Sequence, residues 1–500
     1  MSYSDIAEAN IQRISQIHYM KTIPTLCLVL TGISPTVADS VDSTNYLHSE
    51  RGLRAYHLKE AELSDSLKKA MSPHLQSSSR TAGSPTHTLI RKQNEHIAQT
   101  RNWFSSKPLK MMPYLDSVFV FGNTCVQPNA LIKDDGISTF AQRIKSNLSQ
   151  YGFTYSLQYG VNYTGLTGAH LHGRKDFFSH NGSLLSNLTI YRNEAGGGLF
   201  LATEFDFGNG FHFNEDSESP SKTLGSLQNP TSSFQGPDPH ISNLSLAWVS
   251  NDSKLLIMGG QLDTSNYLDH NSYSNSHYNN LTNSVFTNNP VLPLTDNSLG
   301  MLVAWQPTNN FYLMATSAAN NVSQNQNPFK YFSHSNWSSM LELGICSDDT
   351  CGLGSGVYRL QPFLNTCNNE TGVGIGLNIQ QQLGKHSHLG WFLRAGIADT
   401  QAANLTGVRS SISTGLVWLS PFSGTNASND GYLGLGFLWQ QANKNLNYTN
   451  KNEYGVELTY VVQVTPTLTI QPDIQLIHNP IYGKKGQTNL VFQIQKIWIW

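Results

Sequence analysis

Thr488-Asn489-Leu490-Val491-Phe492-Gln493-Ile494-Gln495-Lys496-Ile497-Trp498-Ile499-Trp500 closes the chain, and its alternation decides how the rest is read. Leu490, Phe492, Ile494, Trp498 and Trp500 share one parity, while Asn489, Gln493 and Gln495 fall on the other. Side chains of a strand point to opposite faces at period two, so this run has one greasy face and one largely wet face. Outer-membrane barrels are built from such strands, apolar toward lipid, polar toward the lumen and ringed by aromatics at the interfaces. The edge strand of a soluble sandwich that happens to end on Trp is the competing reading.

Working back from that end, the same period recurs. Leu468, Ile470, Pro472, Ile474 and Leu476 interleave Thr469, Gln471, Asp473 and Gln475; Tyr454, Val456, Leu458, Tyr460 and Val462 interleave Glu453, Gly455, Glu457, Thr459 and Gln463. Tyr155, Leu157, Tyr159, Val161 and Tyr163 alternate with Thr154, Ser156, Gln158, Gly160 and Asn162. Further runs through Leu199–Phe207 and Leu244–Trp248, with ten weaker ones between 183 and 440, bring the count to about sixteen, an even number in the outer-membrane range. The fold class expected is all-β, an antiparallel transmembrane barrel preceded by a polar, partly helical segment. Short links (192–197, 251–253, 306–310, 383–388, 465–467) alternate with long ones (208–240, 263–298, 318–338), as periplasmic turns and external loops do. Two links expected to be turns, 346–355 and 420–430, are long for that role.

Composition agrees without deciding. The chain has 500 residues, 39% hydrophobic and 13% charged, with a net charge of -2. No concentrated basic surface exists, which excludes nucleic acid as partner. Beyond the first 40 residues no apolar run reaches the ~18 residues of a helical span. Residues 1–38 read as a leader whose start is Met20: Lys21 supplies the charge, Ile23 to Ile33 the apolar stretch, and Thr36-Val37-Ala38 the cleavage site. Residues 39–136 form a polar segment with one helical passage at 53–71, and 137–500 the barrel, entered through a short amphipathic helix at 137–148 with Phe140, Ile144 and Leu148 on one stripe.

Among the cysteines left in an exported chain, Cys346 and Cys351 are the pair that proximity favours for a disulfide; zinc competes weakly, since no second pair or suitably spaced His follows. No constellation makes an enzyme, and no metal or cofactor is expected. The carboxylates Glu204/Asp206 and Glu453/Glu457 lie on wet strand parity, and His170, His172 and His180, with His386 and His388, are placed in loops and turns as ordinary polar residues. Gly374 and Gly376 read as inward positions that make room. Arg359, Arg394, Glu204, Asp206, Glu342, Glu457, Gln471, Asp473, Gln475 and Gln493 form the inward, pore-lining set. Opposed charges and amides of this kind bond hydroxyl-rich solutes. The loop after the fifth strand, carrying Tyr267, Asp269, Tyr273 and Tyr278, either folds inward and narrows the pore or stays at the surface.

The run Glu453-Tyr454-Gly455-Val456-Glu457-Leu458-Thr459-Tyr460, then Leu468-Thr469-Ile470-Gln471-Pro472-Asp473-Ile474-Gln475 and His478-Asn479-Pro480, resembles the OprB-type carbohydrate-selective porins. Gly259-Gly260-Gln261-Leu262-Asp263, Gly356-Val357-Tyr358-Arg359-Leu360 and Trp391-Phe392-Leu393-Arg394-Ala395-Gly396 fit the same family over about residues 137 to 500, whereas 39–136 is outside it. The resemblance implies a sixteen-stranded barrel in the bacterial outer membrane that passes monosaccharides and similar polyols passively, with an arginine- and acid-lined constriction to which Arg359 and Arg394 correspond. Partners expected are small carbohydrates, the outer-membrane bilayer and the barrel-assembly machinery acting on the last strand and Trp500; the oligomeric state stays open, with a homotrimer as the candidate that general porins suggest. A nonspecific diffusion porin and a secreted β-rich carbohydrate-binding or adhesive protein remain the alternatives.

Overall fold

In the computed structural model the described residues run from 130 to 499, broken by short gaps of which the longest are 422–430, 212–218 and 232–238. The leader, residues 39–129, His170, His172, Tyr278, His386 and Trp500 lie outside the described residues. A helix, α1 (Gly136–Ser149), leads into sixteen strands: β1 Phe153–Thr167, β2 Asp176–Arg192, β3 Gly198–Phe211, β4 His240–Val249, β5 Leu255–Leu262, β6 Ser298–Thr308, β7 Phe311–Ala319, β8 Trp337–Ser347, β9 Gly356–Cys367, β10 Glu370–Gln382, β11 Leu389–Ala398, β12 Val408–Leu419, β13 Tyr432–Ala442, β14 Asn452–Gln463, β15 Leu468–His478 and β16 Thr488–Ile499. Each pairs antiparallel with its sequence neighbours, and β16 pairs with β1 from Gln158↔Ile499 to Thr167↔Leu490, closing the barrel. Closure leaves no sheet edge, the condition for spanning lipid with strands. Among the described residues no helix is long and apolar enough to cross a membrane.

The period-two reading sets the faces. On β15, Ile474 and Leu476 are exposed outside while Gln471, Asp473 and Gln475 are buried inside; on β16, Phe492 and Ile494 lie outside and Gln493 and Gln495 inside. The ladder between β15 and β14 lapses between Asp473 and Ile470, opposite Pro472, which has no N–H to donate, while pairing with β16 runs through Pro472↔Ile494. Links of one parity are short, such as 309–310 and 464–467, and the other parity holds the long ones at 212–239, 263–297 and 320–336. The link 420–431 is long for the turn side, as the sequence indicates, and 368–369 is the reverse exception, a two-residue external turn in which Asn369 takes a left-handed φ of 65°.

Two expectations need correction. His180 is not in a loop, because β2 begins at Asp176; it stands on the outer face of that strand, 4.9 Å from the Phe211 ring and 5.8 Å from Tyr159. Cys346 and Cys351 are free thiols rather than a disulfide: Cys346 sits on the inward parity of β8 in the buried apolar cluster with Met340 and Val357, while Cys351 is exposed in the turn. The strand's direction therefore points one sulfur inward and leaves the other outside.

Candidate functional site

The segment between β5 and β6 runs into the barrel. Its two ends are clipped together, Thr264 N–H donating to the Thr295 carbonyl (2.8 Å) and Thr295 N–H to the Thr264 hydroxyl (2.8 Å). Asp263 caps the first turn by accepting from Ser265 N–H at 2.8 Å. Between the clips, Tyr267, Leu268, Tyr273, Val285, Phe286 and Val291 are all buried against the wall. The wall is cut to receive them. A Cβ at Gly390 would stand 2.3 Å from the Tyr273 ring and one at Gly436 2.6 Å from the Phe286 ring, so glycine on the inward face of β11 and β13 admits these rings.

One wall, β8 to β11, holds the segment through charge. Asp269, fully buried with a left-handed φ of 60°, is the hub. Its carboxylate pairs with the Arg394 guanidinium (2.9 Å) and accepts from Asn289 N–H (2.7 Å), Asn378 Nδ2 (2.7 Å) and Gln361 Nε2 (3.2 Å). Arg394 also donates to the carbonyls of Asp269 (2.9 Å) and Phe286 (2.7 Å). Glu342 accepts from Asp269 N–H (2.9 Å), Gln361 (2.8 Å) and the Tyr312 hydroxyl (2.6 Å), and lies 3.8 Å from Arg359. Arg359 in turn donates to the Tyr312 oxygen (2.9 Å) and to Gln380 Oε1 (3.3 Å). The two arginines expected to line the pore are thus 2% and 1% exposed, one paired with a wall acid and the other clamping the segment.

A second stretch of wall, β14 to β16, two strands further round the barrel, binds the same segment without a cation. Glu457 accepts from Thr282 and Asn283 backbone N–H groups (the latter 3.1 Å). The Thr282 hydroxyl receives Gln475 (3.0 Å) and Gln493 (3.1 Å), whose amides also donate to Asp473 at 2.9 and 3.2 Å. Gln471 reaches the Asn280 carbonyl at 2.5 Å. The β3–β4 link folds onto this wall as well: Gln475 and Gln493 donate to the Pro230 carbonyl (2.7 and 3.0 Å), and Glu453 accepts from the Ser226 hydroxyl (2.6 Å), Leu227 N–H (3.2 Å) and Ile481 N–H (3.2 Å). Glu204 and Asp206 form a third group on β3, bonded to Asn266 and Ser242, with the Tyr267 hydroxyl nearby accepting from Asn243 at 2.6 Å. Outside the strands, burial pushes the Asp263 carboxyl up to about 8, Asp296 adding to the effect, and burial also raises the Tyr267 and Tyr273 phenols.

Sequence reading missed Glu453 as an anchor, although it shares the parity of Glu457, and it missed Gln361, Asn378 and Gln380, which the same alternation on β9 and β10 points inward. Thr282 and Tyr312 carried no such signal. The role of Thr282 arises only from the fold of its segment.

Comparison with known proteins fits this geometry. Residues 353–495 match the family model of the carbohydrate-selective porin, OprB family. That OprB-type stretch covers β9 to most of β16, the half of the barrel that carries Arg359, Arg394, Glu457 and Asp473. No curated protein matches the chain. Among solved structures, the high-pH form of Pseudomonas putida OprB is similar in fold, with 16% identity, 72% of this chain and 97% of that chain covered and a TM-score of 0.59. Its low-pH form (16%, 72% and 96%, 0.46) and the outer-membrane channel DcaP of Acinetobacter baumannii (9%, 70% and 97%, 0.43) are also similar. The closed sixteen-stranded antiparallel barrel of the described residues is thus similar in fold to that OprB structure, and residues 353–495 match the OprB-family model.

Proposed function

We propose that this barrel is a passive pore for small carbohydrates, monosaccharides and polyols of similar size, and that the segment 263–297 sets its narrowest point. The OprB-family match supports the substrate class. The observation that carries the reading is the anchoring of that segment to both inner walls by Asp269 and Thr282, which narrows the lumen to a lining of amides, hydroxyls and paired charges. Such a lining exchanges hydrogen bonds with uncharged hydroxyl-rich solutes at little electrostatic cost. In this reading Arg359 and Arg394 are positioning residues that fix the constriction through Glu342 and Asp269, instead of free donors to the sugar. The test is reconstitution in a planar bilayer with graded sugars on one side. Discrete conductance steps that monosaccharides block in a concentration-dependent way support the proposal; steps that no sugar affects leave a general diffusion pore, and absence of steps overturns the pore itself.

A further inference from the structure

The helix before the barrel has an apolar face that the barrel leaves uncovered. Over Gly136–Ser149 the stripe Ile137, Phe140, Ile144 and Leu148 recurs at helical spacing, and the helix carries Arg143 and Lys145 but no acid. Ala141 is buried, whereas Ile137 and Phe140 are 49% and 54% exposed. The side against which the helix rests is decisive. Lys145 Nζ lies 5.5 Å from the centroid of the Tyr155 ring, and Tyr155 occupies the outward parity of β1, stacked with Phe153 at 6.2 Å. The helix therefore packs against the outer surface at the foot of β1, at the end where the short turns lie. Just before it, Leu131 and Ile132, both more than half exposed, are held at that end by backbone bonds to the Gln463 and Val464 carbonyls in the β14–β15 turn (3.0 and 2.8 Å).

We propose that α1 lies in the membrane interface, with Ile137 and Phe140 inserted among the phospholipids of the periplasmic leaflet. The helix face continues the lipid-facing surface of the barrel, since Tyr151, Ile190 and Tyr191 are exposed at the same foot of β1 and β2 and Leu188, opposite Phe153, faces outward. An amphipathic helix with cations and no acids on its polar side fits an anionic phospholipid surface, its apolar face reaching ~5–10 Å into the headgroup boundary. A lipid surface needs no added partner to cover these side chains.

The test places a benzophenone amino acid at position 140 in the full chain, reconstituted in phosphatidylethanolamine–phosphatidylglycerol vesicles, with its heat-modifiable folded form verified. Position 246, on the outer barrel face, and position 252, in an exposed turn, are the lipid and water controls. Irradiation should give a phospholipid-mass adduct at 140 and 246 and none at 252. A crosslink from 140 to residues 1–129 of the same chain or to a second copy, or no adduct at 140 while 246 is labelled, overturns the proposal.

Discussion

The two inner walls hold the same segment by different means. On β8 to β11 the contacts converge on one carboxylate, Asp269, which meets an arginine and three N–H donors, with a second acid and arginine, Glu342 and Arg359, behind it. On β14 to β16 the acids Glu457 and Asp473 are satisfied by backbone N–H groups and glutamine amides, and contacts are spread over Thr282, Asn283 and Asn280. A buried ion pair is intolerant of losing one partner, because the remaining charge has no solvent to replace it. A distributed amide network loses its members piecemeal. The first wall therefore acts as a latch and the second as a seat.

Removing the segment altogether abolishes the contrast and carries the largest expected effect. Replacing Tyr267 to Asn280 with a short flexible linker deletes the Asp269 latch, and single-channel conductance should rise severalfold in a barrel that still shows heat-modifiable folding. Unchanged conductance would place the segment away from the current path.

A pair of single changes sharpens the contrast itself. Asp269→Ala strands Arg394 in the interior, at a cost on the order of 3 kcal/mol. Thr282→Val removes one hydroxyl from a network that keeps Glu457 on backbone N–H groups, at a cost of about 1 kcal/mol. Noise in the open-channel current and protease cleavage within 263–297 should both increase strongly in the first variant and slightly in the second. Equal effects would erase the distinction between latch and seat.

The double change Arg359→Gln and Arg394→Gln asks what the latch does for ions. It leaves Glu342 and Asp269 without their cations, so cation preference in reversal-potential measurements should increase and thermal stability should fall together. Lower sugar block with stability unchanged would instead assign the arginines a direct role in the pore.

The last contrast concerns pH. The Asp263 carboxyl is held up to about 8 in the folded chain against 3.8 ordinarily, so its uncharged form is the one the fold favours. Its stabilising contribution is full below about 4, declines as pH rises and levels off above about 8. Asp263→Asn should flatten that part of the pH dependence of the heat-modification midpoint; an identical slope in both proteins would show that Asp263 does not contribute to it.

The alternation around Gln471-Pro472-Asp473-Ile474-Gln475 and in the final strand determined the barrel by itself, because strand geometry converts sequence parity into inside and outside with no tertiary knowledge. The length of the links told which ends of the strands carry turns, and parity placed Glu342, Arg359, Arg394, Glu457 and Asp473 inward. What parity could not say is what each inward group touches. Asp269 meets Arg394 across 125 positions of sequence, and Thr282 meets Gln493 across 211. Those partners are set by how a long link with no repeating pattern folds back over glycines on β11 and β13. For the same reason adjacency in sequence failed for Cys346 and Cys351, where one end of a strand turns its sulfur into the core and the turn beyond leaves the other exposed. Local periodicity fixes the direction of a side chain; only closure of the barrel and the packing of its inward links decide its partner.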